Sequence, residues 1–149
     1  MPTFIQNKKA RFNYEILETF DAGIELRGFE VKSLRKKQGS LEGAYVVVRG
    51  NEVFLVGTTI PPYQPANAPK DYDPERARRL LLTKKEITVL AGAEHQKGLT
   101  IVPLSVYSKH NKLKLGIGIA RGKKKYDKRE AIKKRDTERD VARELKERM

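Results

Sequence analysis

The clearest structural signal in this chain is the segment AYVVVRGNEVFLV at residues 44–56. Its two halves are rich in β-branched and aromatic residues, and they flank the short turn Arg49-Gly50-Asn51. Two such runs around a turn containing glycine and asparagine are typical of a β-hairpin. We therefore predict a pair of antiparallel strands here.

Two longer regions on either side of this hairpin also have strand patterns. On the N-terminal side, apolar residues alternate from Tyr14 through Ile24 towards Val31, with a bend expected at Asp21-Ala22-Gly23. On the C-terminal side, LTIVPLSVY at residues 99–107 and LKLGIGIA at residues 113–120 form a second predicted hairpin around His110-Asn111. The side chains expected in the core are Leu113, Leu115, Ile117 and Ile119.

Helical signals lie between these strands. Helical spacing around Val31 and Leu34 predicts a short helix that ends at Gly39-Ser40. After a loop with five prolines between residues 61 and 74, Asp73-Pro74-Glu75 predicts the start of a helix through Leu82. Thr83 and Glu86 form a capping-box pattern for a second helix, which is expected to end near Gly92.

These elements predict a fold that is mainly β with short α-helices. About five strands with inserted helices indicate a small antiparallel β-barrel like the OB-fold, formed by residues 1–120. Residues 121–149 differ in composition, since they contain 13 Lys or Arg against 7 Asp or Glu and few apolar residues. We expect this basic C-terminal tail to be disordered alone and helical on a partner.

The charge balance indicates the kind of partner. The 149 residues have a formal net charge of +13, which favours a partner with dense negative charge, most commonly nucleic acid. The sequence has no cysteine, which excludes disulfides, thiolate nucleophiles and Cys-ligated zinc. No apolar leader or membrane-length apolar segment is evident, so we expect a cytoplasmic protein with no membrane partner.

The pattern gives little support to catalysis. His95 and His110 are the two histidines, and neither has another His or a nearby acid at metal-ligand spacing. Ser105 and Ser108 lack a nucleophile-elbow setting, and no phosphate-binding loop occurs. We therefore expect no enzyme activity, cofactor or metal site.

Three basic clusters favour nucleic-acid binding. They are Asn7 to Arg11, the lysines 109, 112 and 114 around the last predicted hairpin, and Lys123 to Tyr126. A single cluster is more often a solvated surface, but three clusters together with the global charge favour a common binding face. Tyr126, which lies among lysines, is a candidate for stacking on RNA.

Four longer strings make the sequence similar to a known family. NKKARFNYEI at 7–16, FDAGIELRGFEVKSLR at 20–35, DPERARRLLLTKKEI at 73–87 and ARGKKKYDKREAIKKRD at 120–136 resemble the SsrA-binding (SmpB) family in order and spacing. The resemblance implies an OB-like barrel that binds the tRNA-like domain of tmRNA and delivers it to the A site of stalled ribosomes. The process is trans-translation, which rescues the ribosome and tags the nascent peptide.

The resemblance also implies a set of RNA-binding positions in and near the barrel. They are Asn7, Lys8, Arg11, Asp21, Glu30, Lys32, Leu81, Lys114, Lys123 and Lys124. Asp21 is unusual for a phosphate-binding set, so we interpret it as an acceptor for a base edge or 2′-OH, or as a support for a nearby arginine. A core position is the alternative for Leu81.

For the tail, the resemblance implies contacts at the decoding centre and in the empty mRNA channel. The positions are Tyr126, Asp127, Lys128, Arg129, Ile132, Lys133, Lys134 and Arg135. The implied partners are tmRNA, the ribosome with its small-subunit rRNA, and, through tmRNA, elongation factor Tu and alanyl-tRNA synthetase. A monomer is expected.

The chain departs from the common family pattern at Lys37, where glycine is frequent, and at Tyr126, where histidine is frequent. The tyrosine keeps a planar ring for stacking but removes any role of imidazole protonation. The main alternative function is that of another ribosome- or rRNA-binding translation protein with an OB-like domain. Such a protein would bind ribosomes without tmRNA.

Overall fold

A computed structural model describes residues 3–64, 66 and 68–123 of the chain. Within them, seven strands and three helices follow one another along the sequence. The strands are β1 (Thr3–Gln6), β2 (Tyr14–Ile24), β3 (Tyr45–Arg49), β4 (Glu52–Val56), β5 (Arg78–Leu81), β6 (Leu99–Lys109) and β7 (Lys112–Gly122). The helices are α1 (Lys8–Asn13), α2 (Gly28–Arg35) and α3 (Lys84–His95).

The strands form one sheet in the order β1-β6-β7-β2-β5-β4-β3, with every neighbouring pair antiparallel. β3 nevertheless contacts β6, which lies at the other side of this order, so the sheet curls back on itself. α3 packs against both β3 and β6, where its buried Leu90 and Ala93 fill the gap between them. The prediction of a mainly β, OB-like barrel with short helices is confirmed, with seven strands instead of about five.

Both predicted hairpins are confirmed. In the first, Arg49 pairs with Glu52 across Gly50-Asn51, and Gly50 has a φ of 64°. A positive φ at the first turn position suits a type II′ turn, where glycine has no steric penalty. In the second, Lys109 pairs with Lys112, and both His110 and Asn111 have positive φ angles, as a type I′ turn requires.

The main core lies inside the barrel. Leu113, Leu115, Ile117 and Ile119 are all buried in it, as the alternation on β7 predicts. A smaller apolar cluster lies on the outer face of the sheet, where Ala10 of α1 packs against Val102, Leu104 and Ala120. α1 therefore covers one end of the β2–β6–β7 surface.

The predicted helix through residues 73–82 is wrong. Asp73 forms only a local turn, since its side chain accepts from the Glu75 N–H at 2.9 Å and its carbonyl accepts from the Arg76 N–H at 3.1 Å. The chain then enters β5, which pairs with both β2 and β4. Arg78 and Leu80 are buried while Arg79 and Leu81 are exposed, an alternation that belongs to a strand.

Other boundaries also differ from the predictions. The bend at residues 21–23 is absent, because β2 keeps its pairing with β7 through Asp21↔Gly116, Ala22↔Leu115 and Gly23↔Lys114. α3 is confirmed with its Thr83 capping box, but it continues past Gly92 to His95. β1 and α1 were not predicted, and β7 extends to Gly122, two residues beyond the predicted boundary at residue 120.

Candidate nucleic-acid interface

An open groove of about 370 Å³ lies where α2, β2, β5 and the β6–β7 hairpin meet. Its lining residues come from several elements that are distant in sequence, so the fold assembles them. The lining residues are Gly23, Ile24, Leu26, Val31, Arg35, Leu81, Asn111, Lys112, Leu113 and Lys114. Three cations around an apolar surface suit a ligand that combines phosphates with planar, weakly polar groups, as RNA does.

Leu81 and Lys114 from the predicted RNA-binding set lie together in this groove. Leu81 leaves 49% of its surface exposed, which makes it one of the most exposed large apolar residues and rules out the core alternative. Its neighbour on β2 is Gly23, where an added Cβ would lie 3.1 Å from the Leu81 Cβ. Glycine at this position therefore lets the Leu81 side chain lie over β2.

α2 forms the opposite wall of the groove. Val31 and Arg35, four residues apart, share the helix face that lines it. The guanidinium of Arg35 donates to the Asn111 carbonyl at 3.3 Å, which links the helix to the β6–β7 turn. Lys32, the next residue of the helix, is exposed but does not line the groove.

Asp21 lies on β2 near the same hairpin. Its carboxylate accepts hydrogen bonds from the Tyr107 hydroxyl and, at 3.1 Å, from the Lys109 ammonium. About half of the Asp21 side chain remains exposed, with a relative exposure of 52%. The cation that Asp21 bonds is thus a lysine and not the arginine of the predicted supporting role.

Glu30 has a different environment from the other predicted contacts. Its side chain is completely buried in the first turn of α2, so it presents no surface to a ligand in this conformation, and its part in RNA binding stays a prediction. The carboxylate accepts hydrogen bonds from the side chains of Tyr72, Arg76 and Arg78 and from the Arg27 N–H. We refer to Glu30, Tyr72, Arg76 and Arg78 as the Glu30 cluster.

These donors determine the ionisation of Glu30. Burial alone would raise the pKa of its carboxyl, but the hydrogen bonds from Arg76, the Arg27 N–H, Arg78 and Tyr72 together lower the pKa to about 2. Conversely, burial and the bond to Glu30 raise the pKa of the Tyr72 hydroxyl. The cluster therefore contains a stable carboxylate and a neutral tyrosine.

The remaining described positions of the predicted set lie around α1. Asn7 caps this helix by accepting from the Ala10 N–H at 3.2 Å, and its amide donates to the Pro103 carbonyl at 2.9 Å. Lys8 and Arg11 are exposed on the helix. Lys123 joins them, since its ammonium donates to the Arg11 carbonyl at 3.2 Å and its N–H to the Asn13 carbonyl at 2.9 Å.

The fold separates this second group from the groove. The α1 group lies at the Tyr14↔Gly122 end of the β2–β7 ladder, and the groove lies at the Gly23↔Lys114 end. Nine residues of strand separate the two ends, which corresponds to roughly 30 Å. Of the three basic clusters, the first and the start of the third meet, whereas the hairpin lysines lie apart, so the expected common face is divided into two.

The exposed carboxylates of Glu15 and Glu18 lie on β2 between the two groups. They reinforce the division, because negative charge there disfavours a continuous phosphate track.

The prediction did not include several residues that build this surface. Tyr72, Arg76 and Arg78 lie in a stretch with helix-start signals, and nothing in the local pattern shows that Arg78 is buried while Arg79 is not. Arg35 is one of several cations around α2, so only the tertiary structure identifies it as a groove residue. The predicted hairpin did place Lys112 and Lys114 correctly, on the strand that follows the His110-Asn111 turn.

Lys124 and the predicted tail contacts lie outside the described residues. These contacts are Tyr126, Asp127, Lys128, Arg129, Ile132, Lys133, Lys134 and Arg135. Among residues 3–64, 66 and 68–123, no three histidine or acidic side chains are grouped closely enough to hold a metal ion. Within the same ranges, no helix has the length and apolar character needed to cross a membrane.

The fold and this charged surface define the class of the protein: a small antiparallel β-barrel with a basic groove. The family model described as SmpB protein matches residues 4–147, and the chain therefore belongs to the SmpB family.

Individual relatives give the same result. The chain is similar to an SsrA-binding protein of Mesoplasma florum, with 52% identity over 140 residues that cover 94% of each chain. It is also similar to an SsrA-binding protein of Gloeothece citriformis, with 49% identity over 94% of this chain and 90% of that one. A solved chain described as "tmRNA-SmpB: a journey to the center of the bacterial ribosome" is 41% identical and has a TM-score of 0.68, with coverage of 89% of this chain and 95% of that chain.

Proposed function

We propose that this chain binds the tRNA-like domain of tmRNA and delivers it to the A site of stalled ribosomes for trans-translation. The observation that carries this proposal is the family match over residues 4–147, which includes the groove, the α1 group and most of the tail. Relatives named SsrA-binding protein and a solved chain described with tmRNA and the bacterial ribosome support it. The activity would take place in the cytoplasm, where ribosomes translate.

The groove offers a physical basis for recognising folded RNA. Lys112, Lys114 and Arg35 would neutralise phosphates and release counterions, which contributes affinity that falls with salt. Leu81 and the apolar groove wall would contact a ribose or a base face. Asp21, held by Tyr107 and Lys109, keeps about half of its side-chain surface exposed and would accept from a 2′-OH or a base edge.

The α1 group would be a second contact on the same RNA. Lys8, Arg11 and Lys123 lie roughly 30 Å from the groove along the β2–β7 ladder. A folded RNA can contact both groups at once, whereas a ligand of one or two nucleotides cannot. This spacing favours a structured partner such as a tRNA-like domain.

The tail, residues 121–149, would act on the ribosome. We propose that residues 126–129 contact the decoding centre and residues 132–135 continue into the empty mRNA channel, with Lys124 still counted among the tmRNA contacts. The barrel and tail would then be separable units. Elongation factor Tu and alanyl-tRNA synthetase would be indirect partners that bind the tmRNA carried by this protein, which would act as a monomer.

The proposed role is binding and not catalysis. The two histidines, His95 and His110, are both exposed, the first at the end of α3 and the second in the β6–β7 turn. Replacing both by glutamine should leave tmRNA binding and peptide tagging intact. Loss of tagging without loss of binding would support a chemical role for one of them.

The proposed function is tested by a salt-series titration of the full chain against the tRNA-like domain of tmRNA, with an elongator tRNA as competitor. We expect a clear preference for the tmRNA domain that persists near physiological salt. Equal binding to both RNAs that disappears as salt rises would contradict the proposal. Ribosome binding without any tmRNA preference would favour the alternative of another ribosome- or rRNA-binding translation protein.

Paired variants then locate the interface. Changing Lys112 and Lys114 to glutamine should lower the slope of log K against log salt by about 1.5, because two phosphate contacts are lost. The matched control is the same change at Lys84 and Lys85, which are exposed on α3 and do not line the groove. An equal effect of both pairs would indicate non-specific attraction to the charge of the whole chain.

A further inference from the structure

The Glu30 cluster joins three parts of the chain that are distant in sequence. Glu30 belongs to α2, Tyr72 and Arg76 belong to the loop before β5, and Arg78 belongs to β5 itself. Arg78 donates to the Glu30 carboxylate through Nε at 3.0 Å and Nη2 at 2.7 Å, and both side chains are completely buried. This is the direct polar link between α2 and β5.

The loop before β5 also forms hydrogen bonds with Glu30 and Arg78. The Tyr72 hydroxyl lies 2.8 Å from both a Glu30 oxygen and the Ile60 carbonyl, and its ring meets Phe29 edge-on at 4.7 Å. Arg78 also donates to the Thr58 carbonyl at 2.7 Å and to the Pro74 carbonyl at 2.9 Å. These directional bonds fix the orientation of the segments more narrowly than apolar contacts would.

The two elements that the cluster joins are two walls of the groove. On α2, Glu30 is followed directly by Val31, which lines the groove, and on β5, Arg78 is three residues before Leu81. A change in the placement of α2 against β5 would therefore change the separation of Val31 and Leu81. None of the four cluster residues lines the groove, and on β5 the buried Arg78 and the exposed Leu81 lie on opposite faces of the strand.

We infer that Glu30, Tyr72 and Arg78 are positioning residues for RNA binding, which act by setting the separation of the α2 and β5 walls of the groove. This inference rests on the proposed function, since it uses tmRNA affinity as its measure. It also gives Glu30 a place in RNA recognition that does not require a buried carboxylate to contact RNA.

The test uses Tyr72→Phe in the full chain. Glu30→Gln would leave two arginines beside a neutral partner and risks the loss of the fold, whereas Tyr72→Phe removes one hydroxyl and keeps the ring against Phe29. We expect the affinity for the tRNA-like domain to fall about fivefold, with an unchanged slope of log K against log salt. The slope stays the same because no phosphate contact is lost.

A double-mutant cycle with Leu81→Ala shows whether the effect passes through the groove. If Tyr72 acts by placing the groove walls, the double variant should bind only slightly more weakly than Leu81→Ala alone. In the Leu81→Ala background the leucine side chain is already absent, so its misplacement has nothing more to cost. Fully multiplicative losses would overturn the inference. A slope reduced by about one would also overturn it, since it would indicate that the cluster contacts phosphate directly.

Ile101→Val is the control for a general loss of stability. Ile101 is buried in β6 opposite Ile119, away from the groove, and this change removes one methylene from the core. We expect it to leave RNA affinity unchanged at a temperature where circular dichroism shows all variants folded. An equal loss of affinity in this control would overturn the inference, whereas failure of the unmodified chain to bind tmRNA would contradict the proposed function instead.

Discussion

At the scale of single residues, Glu30 shows how a buried charge is retained. Its carboxylate has no solvent exposure, but each of its two oxygens accepts from at least two donors among Tyr72, Arg76, Arg78 and the Arg27 N–H. An ion pair in the interior is stable only when its remaining polar atoms are satisfied, and carbonyls of the surrounding loop receive the remaining arginine donors. The two arginines and one carboxylate leave a net positive charge close to the surface at Arg76.

This arrangement predicts a loss of stability in acid. Because the folded-state pKa of Glu30 is about 2, below its ordinary value of 4.5, the contribution to stability is complete above pH 4.5 and is lost as the pH falls towards 2. The difference corresponds to roughly 3 kcal/mol of unfolding free energy. Urea unfolding measured from pH 6 to pH 2 should show this decline.

Glu42→Gln is the control for the acid experiment. The Glu42 carboxylate is fully exposed and bonds Lys9, which lowers its pKa, but an exposed pair contributes little to stability. We expect this variant to lose stability with pH in the same way as the unmodified chain. An unmodified chain whose stability stays constant between pH 4.5 and pH 2 would contradict the role of Glu30.

At the scale of elements, β5 and α3 show when a local helix-start pattern leads to a helix and when tertiary contacts override it. Asp73-Pro74-Glu75 and Thr83 with Glu86 are both helix-start patterns, but only the second begins a helix. The first precedes β5, which pairs with both β2 and β4, and the Arg78 side chain of β5 bonds Glu30. Pairing on both sides and the buried ion pair outweigh a weak helical preference over a few residues.

The capping box of α3 predicts a measurable effect of Thr83→Ala. The Thr83 hydroxyl accepts from the Glu86 N–H at 3.2 Å, and the Glu86 carboxylate accepts from the Thr83 N–H at 2.9 Å. Loss of the cap should lower the free energy of unfolding by about 1 kcal/mol, as measured by urea denaturation.

Thr88→Ala tests whether the effect belongs to the cap. Thr88 is an exposed residue in the same helix, where its hydroxyl donates only to the Lys84 carbonyl. Since alanine is the better helix former, we expect no loss of stability from this change. A similar loss from both variants would mean that the Thr83 cap contributes nothing specific.

At the scale of the whole molecule, the β2–β7 ladder sets the distance between the two basic groups. One group surrounds α1 and includes Lys123, and the other lies in the groove with Lys112 and Lys114. Because both groups are attached to the same pair of long strands, the length of the ladder sets their spacing. A partner that contacts both must therefore have a matching length and shape, which makes the ladder a determinant of specificity as well as of stability.

The division into barrel and tail predicts the effect of a truncation. A chain that ends at Lys123 retains β7 to Gly122 and the bond from Lys123 to the Asn13 carbonyl. We expect it to unfold at the same temperature as the full chain and to keep much of its tmRNA affinity, but to lose peptide tagging on stalled ribosomes. Thermal denaturation, RNA titration and a tagging assay measure these three properties.

A second truncation after Ala120 serves as the comparison. It removes Arg121 and Gly122, which pair with Glu15 and Tyr14, together with Lys123. This chain should be less stable and should bind RNA more weakly than the chain that ends at Lys123. Intact tagging by either truncated chain would contradict the proposed role of the tail.

The elements with local signals can be predicted from the amino-acid sequence alone. The hairpin at residues 44–56 depends on a turn that glycine permits and on β-branched runs beside it, and the alternation of Leu113 to Ile119 follows directly from strand geometry. The family resemblance likewise depends on strings that can be read along the chain, and the comparisons confirm it.

Features that depend on residues distant in sequence follow from the folded arrangement and not from local patterns. β5 became a strand because two other strands and Glu30 were available to it, and the groove formed because α2, β5 and the β6–β7 hairpin meet at one place. Residue type alone would predict an exposed Glu30 and a buried Leu81, but in the fold the acid is buried and the leucine is exposed. The physical reason is that the burial of a side chain depends on the residues that pack around it. Those residues are distant in sequence, so a local sequence pattern cannot identify them.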